Sequence, residues 1–442
     1  MSRNLPSKPN LGQLKNQAKD VLKAFHNGEK SVCTTLKLLN RFAGLSNEEI
    51  LKSDLSLTEV QFALAMDYGF KSWNAMVQHV NAGRIVKPES RVKNENGKVW
   101  IDGIPKLSWG ESGNCTFAGA LSAALSITQH PYSYSSIMGY TGLAFRVRWY
   151  RRTDINDWCP SSPVGEFKTE IDTVRATTGW QFDYINKMGE DNPDMGQYGP
   201  DIIKSIDAGL PVLGYVEDLD AAVLYGYEKR NDGTYLIWNN YNHNQPMIRH
   251  QDKTGPWLMM FKEHIQSPDK IDNFLQALQS SNWRRREWIP ENYPEKREHS
   301  YLYGDKALTT WRDDIKQSDS FSQPEREKLF FVGWWCFTNL VDARRQAATF
   351  LNDHADLFES KSRKLLYSAA DIYRREVKLM GNVFKNQDAF LGPWSGKKIE
   401  DWTEEVRQCE CDILNQVRQF DNEAVKQIDK AIKKHTESIK NK

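Results

Sequence analysis

The chain has 442 residues, enough for two or three domains, and its 59 Lys and Arg nearly balance its 58 Asp and Glu. The resulting net charge of +1 supplies no overall field for nucleic acid or an anionic membrane, so we expect neither as a partner. No apolar run approaches the ~18–20 residues that cross a bilayer, and the first residues lack an apolar signal segment, which favours a cytoplasmic protein.

Residues 1–85 are predicted to form a helical module. Apolar periodicity predicts four helices, over residues 11–25, 32–43, 57–68 and 72–80. The Ala65-x3-Gly69 spacing resembles a helix-turn-helix, but the helix that would read DNA has few basic side chains, so a packing module is the preferred interpretation. The block also resembles a short helical leader seen ahead of unrelated bacterial domains, which implies no chemistry.

Residues 86–97 are polar and are predicted to be a linker, and residues 98–290 mix helical and strand patterns in an order typical of the α+β class. Helices are predicted at residues 115–128, 171–178 and 200–208. Strands are predicted at residues 98–101, 144–150, 211–216, 222–227 and 234–238, and residues 134–142 are predicted to be rich in turns.

Residues 300–440 return to helical periodicity. Four helices are predicted, over residues 306–316, 324–354, 361–383 and 401–434. The sequence Gly392-Pro393-Trp394-Ser395-Gly396 separates the third helix from the fourth because Gly and Pro interrupt helices. A C-terminal helical region therefore follows the α+β block.

The six cysteines are sparse and form no C-x-x-C pair, which favours reduced thiols over a disulfide framework. Cys409 and Cys411 lie in a helical pattern, where side chains two residues apart diverge and chelate poorly. No two histidines have the spacing of metal ligands. The sequence therefore predicts no metal site and no cofactor.

One cysteine has a distinctive setting. Gly113-Asn114-Cys115 ends a turn and begins a helix of small residues, and the positive end of a helix favours a thiolate. Papain-like folds present their nucleophile in this way. About a hundred residues later, where such folds bring in a strand that carries the base, the sequence has Asp220 instead of a histidine.

Four segments together resemble the amino-terminal domain of the butirosin biosynthesis protein H-like family. They are Gly113-Asn114-Cys115 with its helix, residues 134–146, Gly209-Leu210-Pro211-Val212 and residues 224–228. The tail that contains Trp334, Asp342 and Ala347 resembles the helical region that often follows this domain. The resemblance spans about residues 105–380. It implies a papain-like central domain, and acyl transfer from a carrier-bound thioester to an aminoglycoside amine through an acyl-cysteine.

The resemblance assigns roles to individual residues. Cys115 matches the nucleophile, and Asn239 matches the position of an orienting Asn or Asp. Asp220 falls at the position of the histidine, and a carboxylate there would raise the thiol pKa by like-charge repulsion. His243 is the best candidate for a base from another part of the chain; an exposed loop histidine is the ordinary alternative.

Four further residues are predicted to line a pocket around the thiol: Trp109, Asn114, Tyr140 and Trp158. No glutamine precedes Cys115 at the spacing of a papain-like oxyanion donor, so backbone N–H groups at the helix start are expected to hold the oxyanion. Two functions remain open. The first is thiol-dependent acyl transfer, or hydrolysis of an amide or thioester, on a small metabolite or an acyl-carrier-bound thioester. The second is an inactive ligand-binding or scaffold protein that lacks the base.

Overall fold

The structure is a computed structural model and describes most of the chain in fifteen segments: residues 5–6, 9–70, 73, 76–77, 80, 88–110, 112–150, 167–187, 194–216, 220–241, 249–251, 255–266, 268–280, 301–392 and 396–440. The chain divides into two compact units, Met1–Lys87 and Pro88–Lys442. No helix in the described segments is both long enough and apolar enough to cross a membrane.

The described part of the first unit is helical. Its helices are α1 Leu11–His26, α2 Cys33–Leu36, α3 Asn47–Leu51 and α4 Leu57–Asp67. Ser46 and Ser56 each begin a helix with a capping box, in which the serine side chain and a glutamate three residues later bond each other's backbone N–H. The helix predicted over residues 72–80 lies largely outside the described residues.

The structure differs from the prediction of one helix over residues 32–43. Only Cys33–Leu36 is α-helical, and short 3-10 turns at Lys30–Val32 and Asn40–Phe42 flank it. The Leu39 N–H donates to the carbonyl of Leu36, three residues back, at 3.0 Å. Two adjacent threonines in α2 are β-branched and weaken a helix, which explains why a short segment breaks here.

The second unit combines an antiparallel sheet with helices, so the predicted α+β class is confirmed. Its strands are β1 Val92–Glu95, β2 Lys98–Ile101, β3 Arg148–Tyr150, β4 Trp180–Asn186, β5 Val212–Val216, β6 Asp220–Lys229, β7 Tyr235–Asn239, β8 Arg249–Gln251, β9 Trp257–His264 and β10 Tyr301–Tyr303. The main sheet runs β1-β2-β6-β5-β9-β4, while β7 pairs with both β6 and β8, and β3 pairs with β10 in a second sheet. Strands β5 and β2 follow one another along one edge of β6, and β7 pairs along the other edge.

Nine helices of the second unit lie in the described segments. They are α5 Thr116–Ser126, α6 Tyr134–Tyr140, α7 Phe167–Thr178, α8 Gly199–Asp207, α9 Lys270–Ser280, α10 Gly304–Lys316, α11 Gln323–His354, α12 Ser360–Asn386 and α13 Glu404–Lys440. Helix α5 packs against β6, and α11 packs against α6. Nearly every side chain of α5 is buried, which explains why its sequence is almost entirely small and apolar.

The predicted linker 86–97 contains a strand. Val92–Glu95 pairs with Lys98–Ile101 through Asn96-Gly97, and both turn residues have positive φ, at 52° and 79°. Asn-Gly with positive φ at both positions is the favoured two-residue hairpin turn. The polarity that suggested a linker belongs to an edge hairpin whose outer strand is largely exposed.

Residues 98–290 and 300–440, predicted as separate regions, belong to one compact unit. A single buried cluster includes Leu121 and Val223 from the first region and Phe350, Tyr373 and Ile428 from the second. The segment 134–142, predicted to be turn-rich, is instead the helix α6, which Ser133 caps and whose residues 135–140 are all buried. Tertiary burial there outweighs the low helix propensity of serine, tyrosine and glycine.

Candidate functional site

Cys115 lies at the N-cap of α5 and is 2 % exposed. The next residue, Thr116, accepts a hydrogen bond at its side-chain oxygen from the backbone N–H of Ala221 at 3.0 Å. Ala221 is the second residue of β6, which begins at Asp220. This bond spans 105 residues and holds the start of the cysteine helix against the start of the strand that carries Asp220.

The hydroxyl of Tyr134 contacts the backbone of Cys115. The Cys115 N–H donates to this hydroxyl at 2.9 Å, and the hydroxyl donates to Oδ2 of Asp342 at 2.6 Å. Burial raises the pKa of Tyr134 well above its ordinary value, and the nearby Asp342 carboxylate raises it further. The phenol is therefore neutral at physiological pH and acts as a donor to Asp342.

The Asp342 carboxylate, on α11, accepts two further hydrogen bonds beside the turn that precedes Cys115. Its Oδ2 accepts the backbone N–H of Asn114 at 3.0 Å, and its Oδ1 accepts the amide of Gln346 at 2.9 Å. The side chain of Asn114 donates to the carbonyl of Thr338 at 3.1 Å, which holds the turn on α11. The backbone N–H groups of Asn114 and Cys115, next to the helix start, are therefore already hydrogen-bonded.

Gly113 allows the tyrosine ring to lie against the turn. Its φ is +100°, and a Cβ at this position would lie 2.1–2.5 Å from three atoms of the Tyr134 side chain. No other residue fits without moving that ring. The glycine of the Gly-Asn-Cys segment thus permits the contact between Tyr134 and Cys115.

A second tyrosine and aspartate pair lies at the start of β6. Tyr241 donates its hydroxyl to Asp220, and the backbone N–H of Trp109 bonds the same hydroxyl oxygen. Burial is the main reason that the pKa of Tyr241 is raised, and Asp220 adds to the shift. Trp109 therefore reaches this site through its backbone.

The residues around Tyr241 fix the loop that leads to Cys115. Asn240 accepts the Val223 N–H at 2.7 Å and donates its side-chain amide to the carbonyl of Pro105 at 2.8 Å. Leu107 donates its N–H to the Asn240 carbonyl at 2.9 Å and pairs in parallel with Tyr241. The segment before the cysteine is thus attached to the end of β7.

Asn239 lies near this site but does not face Asp220. It pairs with Leu224, four residues along β6 from Asp220, which is about 13 Å at the rise of a strand. Its Oδ1 accepts the N–H of Tyr241 at 3.1 Å. Tyr241, rather than Asn239, is therefore the side chain that reaches Asp220.

Tyr140 is buried in the core cluster that also includes Cys115. Its ring contacts those of Phe350 and Tyr132, with centroids 5.0 and 6.1 Å apart. The other two predicted residues, Trp158 and His243, lie outside the described residues. Of the predicted site, the structure brings Cys115 and Asn114 close to Asp220 and to the backbone of Trp109, across the Thr116 bond. Asn239 lies farther along the sheet and reaches this group only through the N–H of Tyr241.

Sequence reasoning missed Tyr134, Tyr241 and Asp342 as members of the site. Tyr134 and Asp342 both lie in segments that carry the family resemblance, but no local spacing connects them to Cys115. Cys33, Cys115, Cys336, Cys409 and Cys411 are free thiols, and the described segments contain no group of three or more potential ligands placed to hold a metal ion.

No protein-family model matches the chain, and no curated protein is similar to it in sequence. The functional argument therefore depends on the site itself.

Proposed function

We propose that the chain is a thiol-dependent acyltransferase or hydrolase with a papain-like central region. Its substrate would be an amide or thioester of a small metabolite, free or attached to an acyl carrier, in the cytoplasm. The observation that carries the proposal is the bond between Thr116 and Ala221. It holds a cysteine at a helix N-terminus against the strand where papain-like proteins carry their base.

The reaction would pass through an acyl-cysteine. The Cys115 sulfur attacks the carbonyl carbon, an S–C bond forms, and the bond to the leaving amine or thiol breaks as that group takes up a proton. An acceptor amine or water then releases the acyl group. Asp220 would orient the reacting groups, with Tyr241 holding Asp220 in place and Asn239 supporting the backbone of Tyr241. His243 would act as the base.

A second candidate, an inactive ligand-binding or scaffold protein, is favoured by a different observation. The thiol is almost fully buried, and the N–H groups of Asn114 and Cys115 already have acceptors. The Asp342 carboxylate beside the helix start opposes formation of a thiolate. The two candidates therefore differ in one respect: either the Cys115 thiol becomes accessible to a substrate and reacts, or the protein has the fold without the chemistry.

The pH dependence of iodoacetamide labelling, resolved by residue with mass spectrometry of the native protein, separates the two candidates. Cys409 is the internal standard, since burial raises the pKa of its thiol. An enzyme requires labelling of Cys115 below pH 7 that is faster than that of Cys409 and is lost in His243→Ala. If Cys115 labels no faster than the buried thiols of Cys33 and Cys336, the proposed chemistry is wrong and the scaffold reading stands.

A further inference from the structure

We propose that Tyr134 gates the oxyanion donor of Cys115, so that the carbonyl oxygen of the substrate must take the place of the Tyr134 hydroxyl. This inference rests on the proposed function. When the thiol attacks a carbonyl group, the oxyanion that forms needs hydrogen-bond donors about 2.7–3.1 Å from its oxygen. The Tyr134 oxygen lies 2.9 Å from the Cys115 nitrogen and so occupies that position.

Asp342 holds the hydroxyl in this position. A hydrogen bond of 2.6 Å from a hydroxyl to a carboxylate is short and charge-assisted, and it is stronger than a neutral bond. Without the hydroxyl, Asp342 still accepts from Asn114 and Gln346. Tyr134→Phe therefore removes the gate and leaves the carboxylate with partners.

The ring itself is kept in that variant. Phenylalanine preserves the contact with Gly113, where no other residue allows the ring to approach. Tyr134 is the first residue of α6, and it is only partly buried, whereas residues 135–140 are all buried. The side chain therefore lies at the edge of the core.

Two probes distinguish the gate from mere access to the thiol. With p-nitrophenyl acetate, the Cys115 sulfur attacks the acetyl carbon, the S–C bond forms through a tetrahedral oxyanion, p-nitrophenolate leaves, and the thiol proton passes to buffer. With iodoacetamide, sulfur displaces iodide in one step with no oxyanion. Only the first reaction depends on the Cys115 N–H as a donor. The ratio of the two rates at Cys115 therefore reports the state of that donor.

The ratio of acylation to alkylation at Cys115 is expected to rise at least about tenfold in Tyr134→Phe, since one oxyanion donor is worth about 10²–10³ in rate. Tyr132→Phe is the matched control, because its hydroxyl bonds the carbonyl of Thr177 and not Cys115. Its ratio should equal that of the wild type. Asp342→Asn, which weakens the hold on the hydroxyl, should give a smaller rise and serves if Tyr134→Phe fails to fold.

Each other outcome overturns a stated part of the account. If Cys115 reacts with both probes and the ratio in Tyr134→Phe equals that of the wild type, Tyr134 is not a gate and the proposed chemistry stands. If Tyr134→Phe and Tyr132→Phe raise the ratio equally, the effect is not that of the gating hydroxyl. If Cys115 is alkylated but never acylated, or reacts with neither probe, both the gate and the proposed function are wrong.

Discussion

Two tyrosine hydroxyls, each bonded to an aspartate and to a backbone N–H, flank the start of the cysteine helix. Tyr134 joins Asp342 to the N–H of Cys115, and Tyr241 joins Asp220 to the N–H of Trp109. At both positions a neutral phenol satisfies a backbone donor and a carboxylate together. Under the proposed function, the reactivity of Cys115 would depend on how readily these two phenols give up their hydrogen bonds.

At the residue scale, Gly113→Ala tests the contact between the turn and Tyr134. Its Cβ would overlap the tyrosine ring, and its φ of +100° is unfavourable for any L-residue. We expect the free energy of unfolding to fall by about 3 kcal/mol, from backbone strain together with overpacking. Urea denaturation monitored by tryptophan fluorescence measures this loss.

Gly110→Ala is the matched control for that experiment. Gly110 also has positive φ, at +82°, but no atom lies within 4 Å of the position that a Cβ would take. It should therefore lose only the backbone contribution, about 1 kcal/mol. Equal losses in the two variants would show that the ring of Tyr134 does not press against the turn.

At the scale of elements, α11 connects the candidate site to the core. Asp342 faces the cysteine turn, while His354 at the other end of the helix packs among aromatic rings and bonds the carbonyl of Phe350. This burial lowers the pKa of His354 from its ordinary 6.5 to about 4. Between about pH 6.5 and 4 the ring is therefore neutral in the folded protein, whereas an unfolded histidine is already charged.

The pH dependence of stability follows from that shift. Between about pH 6.5 and 4 the unfolded state binds a proton at His354 that the folded state does not, so stability is lost as pH falls. His354→Asn removes this contribution. The free energy of unfolding of the wild type should fall by about 1–2 kcal/mol more than that of the variant between pH 7 and pH 5. Parallel curves for the two proteins would contradict the burial argument.

The long helices were predictable from sequence, and the missed elements have physical explanations. Helix α11 begins and ends within a residue of its prediction because its 32 residues contain no proline after Pro324 and a single glycine to interrupt the helix. Strand β9 was missed because Trp257-Leu258-Met259-Met260-Phe261 is a continuous apolar run, which periodicity alone does not assign. Its identity comes from pairing on both edges, with β4 and β5.

The candidate site was only partly predictable for a related reason. The turn before Cys115 carries a local signal, because Gly-Asn-Cys followed by small residues marks a helix start. Asp342 lies 228 residues from Asn114, and only the packing of α11 against α6 brings the carboxylate to the cysteine turn. No short sequence pattern predicts that contact, so Tyr134 and Asp342 are recognised as site residues only in the folded chain.

At the scale of the whole molecule, Arg344 joins parts of the second unit that are far apart in sequence. It is 1 % exposed and forms two bonds with Asp421 of α13, at 2.7 and 2.6 Å. It also donates to the carbonyl of Ala144 at 3.0 Å and lies 3.5 Å from the Glu376 carboxylate of α12. One guanidinium thus ties three helices to the segment before β3.

Arg344→Met should lower the free energy of unfolding by about 3–5 kcal/mol, because the Asp421 carboxylate loses its bidentate guanidinium partner. Thermal unfolding followed by calorimetry measures the loss. Arg345→Met is the control, since Arg345 is half-exposed and its nearest carboxylate oxygen is 3.9 Å away. A loss as small as that of the control would show that the buried cluster does not hold the unit together.

The central claim, that Cys115 forms an acyl-enzyme, is tested most directly by trapping that species. Native protein is mixed with a simple acetyl thioester, quenched in acid and mapped by peptide mass spectrometry. We predict an acetyl group on Cys115 that is absent from Cys33 and Cys336 and disappears when an amine acceptor is added before the quench. An unmodified Cys115, or equal acetylation of all the buried cysteines, would contradict the account.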